Sequence, residues 1–205
     1  MHRPIFFSLI CFLFLGVLLS SGCARPDSDQ PITPAHSQSD KMAKIQNAVS
    51  AAPQSVSDNA TVNDWPSETS EGFVTLREGS NGWTCLPDSP GTPGNDPMCV
   101  DQPWLEWINA WVNKTEVNTT RMAFGYMLQA NDSPFSNTDP YATEETADNE
   151  WNASDVPHLM ILVPDAALLE GLSTDPETGG PWVMWRNTPY VHIMAPMPLH
   201  TPEGN

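Results

Sequence analysis

Basic residues are scarce in this chain: Lys and Arg together number 8 against 25 Asp and Glu, a formal charge of −17. From Asn59 onward the bases are Arg77, Lys114, Arg121 and Arg186, against 21 acids. A surface of that sign repels nucleic acid and anionic headgroups, which argues against a direct nucleic-acid function. A charged partner is then a cation or a basic protein. The usual catalytic signatures are missing too. There is no Gly-x-Ser-x-Gly elbow, no phosphate loop, no dinucleotide fingerprint and no His-Glu-x-x-His. With so many acids, the paired carboxylates of glycoside hydrolysis carry no signal either way. No positive argument for an enzyme emerges.

Long apolar runs are missing as well, with one exception. Ile5 to Leu19 is almost wholly apolar, follows the positive Arg3 and precedes Ser20, Ser21 and Gly22. It is short of the ~20 residues that span a bilayer. The pattern is that of a secretory signal over residues 1–22. The stretch Ser21-Gly22-Cys23 resembles the lipobox of bacterial lipoproteins, although Ser20 stands where that pattern has leucine. The resemblance implies cleavage before Cys23, a lipid on that cysteine and a membrane anchor that does not span. Soluble periplasmic export is the alternative.

Four cysteines are few. Cys11 lies in the signal and Cys23 is the expected lipid site, which leaves Cys85 and Cys99. In an oxidising compartment two lone cysteines 14 apart read as one structural disulfide. A redox pair usually sits as Cys-x-x-Cys, and no nearby His or Cys completes a zinc set. No free thiol then remains for nucleophilic catalysis.

What is there points to a single α+β domain at 59–205, after a flexible tether at 23–58. Ala24 to Ser39 is rich in proline and small polar residues. Asp40 caps an expected helix through Ala52, with Met42, Ile45 and Val49 on one face. Short strands are expected at Val74–Arg77, Asn81–Leu86, Arg121–Ala130 (buried on both faces), His158–Val163, Trp182–Trp185 and Tyr190–Met194, the last two as a hairpin. Residues 85–99 hold four prolines and two glycines and should be irregular. Asp101 reads as the N-cap of the principal helix, whose apolar stripe is Trp104, Leu105, Ile108, Trp111 and Val112. Its three tryptophans fit a sugar-stacking platform, but the helical period favours burial on a sheet. The expected fold is one small, mainly antiparallel sheet on one principal helix, with long irregular loops.

Two features address binding. His158-Leu-Met160 and His192-Ile-Met194 each place an imidazole and a thioether on one strand face, a donor set that suits copper. The competing reading is core packing, with each His bonded to one partner. Asn131 to Asp155 carries seven acids and no base. That composition suits calcium, but the order of a known calcium loop is absent and a solvated loop competes.

The stretches GSNGWTCLPDSPGTPGNDPMC, SNTDPYAT and GGPWVMWRNTPYVHIM resemble a group of exported bacterial proteins with no assigned function. That resemblance implies a single exported domain and no catalytic residue. Two function classes therefore remain. One is an exported, lipid-anchored acidic binding or structural domain without a resident cofactor. The other is a periplasmic metal-binding protein, with copper at the His-x-Met pairs or calcium in the acidic stretch.

Overall fold

The computed structural model describes residues 34–92, 94–129, 134–149, 151–152 and 156–197. The signal, Cys23 and the first part of the tether lie outside them. In chain order the elements are α1 (Pro34–Val49), α2 (Gln54–Ser57), β1 (Thr61–Asp64), β2 (Val74–Arg77), β3 (Trp83–Leu86), β4 (Met98–Asp101), α3 (Gln102–Val112), β5 (Ala123–Met127), β6 (Phe135–Ser136), β7 (Trp151–Asn152), β8 (His158–Leu162), β9 (Trp182–Met184) and β10 (His192–Pro196). Eight strands form one sheet in the order β2-β1-β3-β4-β5-β8-β10-β9, and β6 pairs only with β7. Every pairing in the large sheet is antiparallel except β1 with β3.

The mixed α and β composition agrees with the sequence; the small sheet does not. Two central strands escape the pattern. β1 reads TVND, with Val62 its one large apolar residue, and it is recruited by backbone pairing to β3. β4 starts right after Pro97, inside the stretch whose prolines argue against regular structure. Cys85 and Cys99 stand directly opposite each other across β3 and β4, and they form the expected disulfide. The bond therefore staples two strands as well as closing a loop.

Alternation along the strands separates two apolar layers. Leu86, Val100, Met127, Met160, Leu162 and Met194 point to the side covered by α3. Cys85, Cys99 and Val62 point to the side of α1, whose Ala48 packs there with Ala51, Ala52 and Ala60. Ile45, Val49, Val56, Leu76, Trp83 and Tyr126 pack around this small-residue centre. The helix expected from Asp40 begins earlier, at Pro34, a first helical position where the missing N–H is no loss. It does not stand apart as a tether element but packs on the sheet.

Asp101 caps α3 as expected. One carboxylate oxygen accepts from Trp104 N–H at 3.2 Å, and the other from Phe124 N–H at 3.0 Å. One side chain thus fixes the helix start against β5. Trp104, Trp107 and Ile108 are buried on the sheet. β5 is not buried on both faces: Ala123, Gly125 and Met127 face α3, while Phe124 is exposed on the other side. Gly125 makes room there. A Cβ would meet Met160 Cε at 2.9 Å and Val100 Cγ1 at 3.0 Å, with Trp104 Nε1 just beyond. The helix can sit close because this position has no side chain.

Candidate functional site: an aromatic and methionine cavity

Between α3, the α3-facing side of the sheet and residues 134–143 lies a cavity of about 350 Å³. That is within the range of small-molecule sites, roughly 300–1,000 Å³. Six of the eight tryptophans line it: Trp65, Trp104, Trp107, Trp111, Trp151 and Trp185. So do Met98, Met127, Met160, Met184 and Met194, five of nine methionines. Phe135 and Tyr141 complete the apolar wall. Its polar members include His192, Asp96, Asp139 and Ser136, and neither lysine nor arginine is among the lining residues.

The aromatic wall is ordered. Trp107 and Trp185 lie parallel within 2° at 6.0 Å between centroids, Trp185 and Trp111 within 20° at 6.0 Å, and Trp111 and Tyr141 within 7° at 6.2 Å. The row runs from buried Trp107 out to exposed Tyr141. Lys114 places its ammonium over the Tyr141 ring, 4.7 Å from the centroid. Trp185 reaches its place in the row with φ at +56°. For a bulky residue this costs on the order of 1–3 kcal/mol, which the surroundings must offset. It is also why β9 ends at Met184 and not at Trp185 as its composition suggests. The strained residue donates its backbone N–H to Asn137 C=O at 2.8 Å and its indole N–H to Ser136 C=O at 2.9 Å.

The same bonds hold the wall formed by 134–143, the first part of the acidic stretch. Trp182 Nε1 donates to Asn137 Oδ1 at 3.2 Å, and Asn137 Nδ2 donates to Thr174 C=O at 2.7 Å. Trp111 Nε1 donates to Pro140 C=O at 3.2 Å, and Tyr141 Oη donates to Trp111 C=O at 2.8 Å. Indole and phenol groups thus fasten a segment that lacks a core of its own. Asp132, Glu150 and Asp155 of the stretch proposed for calcium lie outside the described residues. No group of three or more His, Cys, Asp or Glu positioned to hold a metal ion occurs among the described residues.

The register shows where the two His-x-Met pairs go. Met160 stands opposite Met194 across β8 and β10. The strands are antiparallel, so the histidines diverge from that pair. His158 stands opposite Pro196 and Met127, whereas His192 stands opposite Met184. The backbone positions of the two histidines are thus offset by four residues along the strands, about 14 Å at ~3.4 Å per residue. Met160, Met194 and His192 line the cavity; His158 is not among its lining residues. Each His donates Nδ1–H to the carbonyl two residues earlier, His158 to Val156 at 2.6 Å and His192 to Tyr190 at 3.0 Å. That leaves Nε2 of His192 as its acceptor nitrogen. The ring sits edge-on among Trp104, Trp107 and Trp185, with centroids 5.4, 5.4 and 5.1 Å away.

Burial governs the ionisable groups. It pulls His192 down from 6.5 to about 4 against the opposing pull of the Tyr190 carbonyl, with His158 adding slightly to the fall. The imidazole is therefore neutral at pH 7. Burial pushes Asp96 up from 3.8 to about 6; Ser89 N–H, donating at 3.0 Å, opposes the rise, and Asp88 adds to it. Trp104 is 1% exposed, and its indole N–H has no hydrogen-bond partner among the described residues. A buried donor in that state costs about 1–3 kcal/mol.

Sequence reasoning found the α3 tryptophans and the His-x-Met residues but not the cavity. Its other walls come from Trp65, Trp151, Trp185 and Tyr141, which are spread over the chain with no periodic signal. The available clue was eight tryptophans in 205 residues, more than one helix could bury. No family model matches the chain, and neither a curated protein nor a solved structure matches it.

Proposed function

We propose that this is an exported, lipid-anchored binding domain whose aromatic and methionine cavity takes one small, largely apolar ligand. The observation that carries this reading is the cavity itself. A domain that needed only a core would bring these rings together and leave no space. Instead, six tryptophans and five methionines surround about 350 Å³. Methionine supports the reading because its flexible thioether adapts to a ligand's shape. The strained backbone of Trp185 supports it too, since strain of this kind gathers at ligand sites. Export and lipidation rest on the apolar run at Ile5–Leu19 and on Cys23.

The test is a titration with N-phenyl-1-naphthylamine, an apolar probe that fluoresces when it leaves water. The expected result is one saturable site per chain. Ala142 lines the cavity and is half-buried. Ala142→Trp should fill the space and lower probe affinity at least tenfold without loss of fold. Absence of saturation, or equal binding by the variant, would defeat the reading.

A second reading has its own observation. Met160 faces Met194 while His192 faces Met184, which brings three thioethers and one neutral imidazole to neighbouring positions. This is a soft donor set suited to Cu(I), with the Tyr190 carbonyl orienting the imidazole as a metal-bound histidine requires. It departs from the set first suggested by the sequence, because Met184 takes the place of His158. Competition for Cu(I) against a chelator, weakened in Met160→Leu with Met194→Leu, is its expected result.

A further inference from the structure

Building on the reading of the cavity as a ligand site, we propose that its ligand is a small organic cation, a substituted ammonium without a phosphate, held on tryptophan faces with Asp96 as counter-charge. Three features narrow the ligand this far. The first is the wall. An aromatic ring carries negative potential on its face, so a cluster of rings attracts an ammonium that has shed water, and indole does so best. A purely apolar ligand needs no such excess of indole over aliphatic side chains.

The second feature is charge. Asp96 and Asp139 line the cavity, while neither lysine nor arginine does. His192 adds no positive charge, since burial keeps it neutral at pH 7. Lys114, near the outer end of the aromatic row, is engaged by the Tyr141 ring. An anion entering this space would find no cation to meet it. A phosphate next to the ammonium would face Asp96 and Asp139 unopposed.

The third feature is the state of Asp96. The residue is 8% exposed, and no lysine, arginine or histidine forms an ion pair with it among the described residues. Asp96 accepts from Ser89 N–H but has no counter-charge among the described residues, and a buried carboxylate in that state is costly when ionised, which is why burial raises its pKa. A bound cation removes the cost. The net charge of −17 works in the same direction at long range by drawing cations toward the surface.

The experiment compares choline with 3,3-dimethylbutan-1-ol, which has the same shape with carbon in place of the charged nitrogen. Both are titrated into the full mature chain at pH 7.5, with tryptophan fluorescence as the readout. Choline should bind at least tenfold tighter than the alcohol, and phosphocholine at least tenfold weaker than choline. Asp96→Asn should lower choline affinity at least fivefold and shrink its preference over the alcohol. Trp185→Leu, which keeps apolar surface and removes a π face, should do the same, so the result does not hang on one variant. If the alcohol binds as tightly as choline, or phosphocholine binds tightest, the cation proposal is overturned while the apolar-cavity reading stands. If neither compound binds and N-phenyl-1-naphthylamine also fails to saturate, both fall together.

Discussion

Replacing Asp96 by Asn should change how stability depends on pH, in a direction that the cavity's burial sets. The carboxyl rises from 3.8 to about 6 on folding, chiefly by desolvation. At roughly 1.4 kcal/mol per decade of proton affinity, an ionised Asp96 makes the fold about 3 kcal/mol less stable than a protonated one. Because the folded value is the higher one, this stability is fully present below 3.8 and is lost as pH rises through about 6. His192 acts in the opposite sense. Its folded value is depressed from 6.5 to about 4, so its contribution is present above 6.5 and is lost as pH falls through about 4. In the native protein the two offset each other between these limits. The folded value of about 6 already includes the Ser89 N–H bond to the carboxylate, and Asn keeps an acceptor for that bond. Asp96→Asn should therefore be more stable than the native chain by about 3 kcal/mol at pH 7.5. Most of that gain should vanish by pH 4, where Asp96 of the native fold is protonated; the loss from His192 is common to both chains and cancels from the difference. Urea unfolding followed by tryptophan fluorescence at both pH values measures the difference. A gap between variant and native chain that does not change with pH would refute the assignment of Asp96 as a desolvated carboxylate.

Three further outcomes are expected. Cys85→Ser should cost about 3 kcal/mol in urea unfolding through the lost cross-link, while intact-mass analysis of the native chain should show no free thiol at either position. Gly79→Ala should destabilise by about 2 kcal/mol or more, because a Cβ there would overlap the backbone of Ala60 and Thr61; unfolding within 0.5 kcal/mol of the native chain would contradict this. Cys23→Ser should abolish membrane association and a diacylglyceryl mass on the mature N-terminus, and an unlipidated native chain soluble in the periplasm would overturn the anchor while leaving export in place.

The local signals were legible where one residue type fixes one geometry. Asp101 before Gln-Pro-Trp announced the start of α3, and two spare cysteines announced the staple. The strands at Val74, His158 and Trp182 showed in their composition. β1 did not, because Val62 is its one large apolar residue and four residues with a single such side chain show no strand pattern; backbone pairing with β2 and β3 completes its place. The His-x-Met reading had the spacing right and the direction unresolved. Whether β8 and β10 run parallel or antiparallel decides if the histidines converge, and periodicity does not encode that. The cavity was hidden for a related reason. Its tryptophans lie on a helix, in a loop, on the short strand β7 and at a strained turn, and only the tertiary fold brings them together.

Methionine methyl NMR tests the ligand cavity most directly, because the chain carries its own reporters. With methyl-labelled protein, N-phenyl-1-naphthylamine should shift the signals of Met98, Met127, Met160, Met184 and Met194, which line the cavity. Met42 and Met122, exposed by 44% and 52%, should stay in place. Shifts confined to Met42 and Met122, or none at saturating probe, would contradict the account.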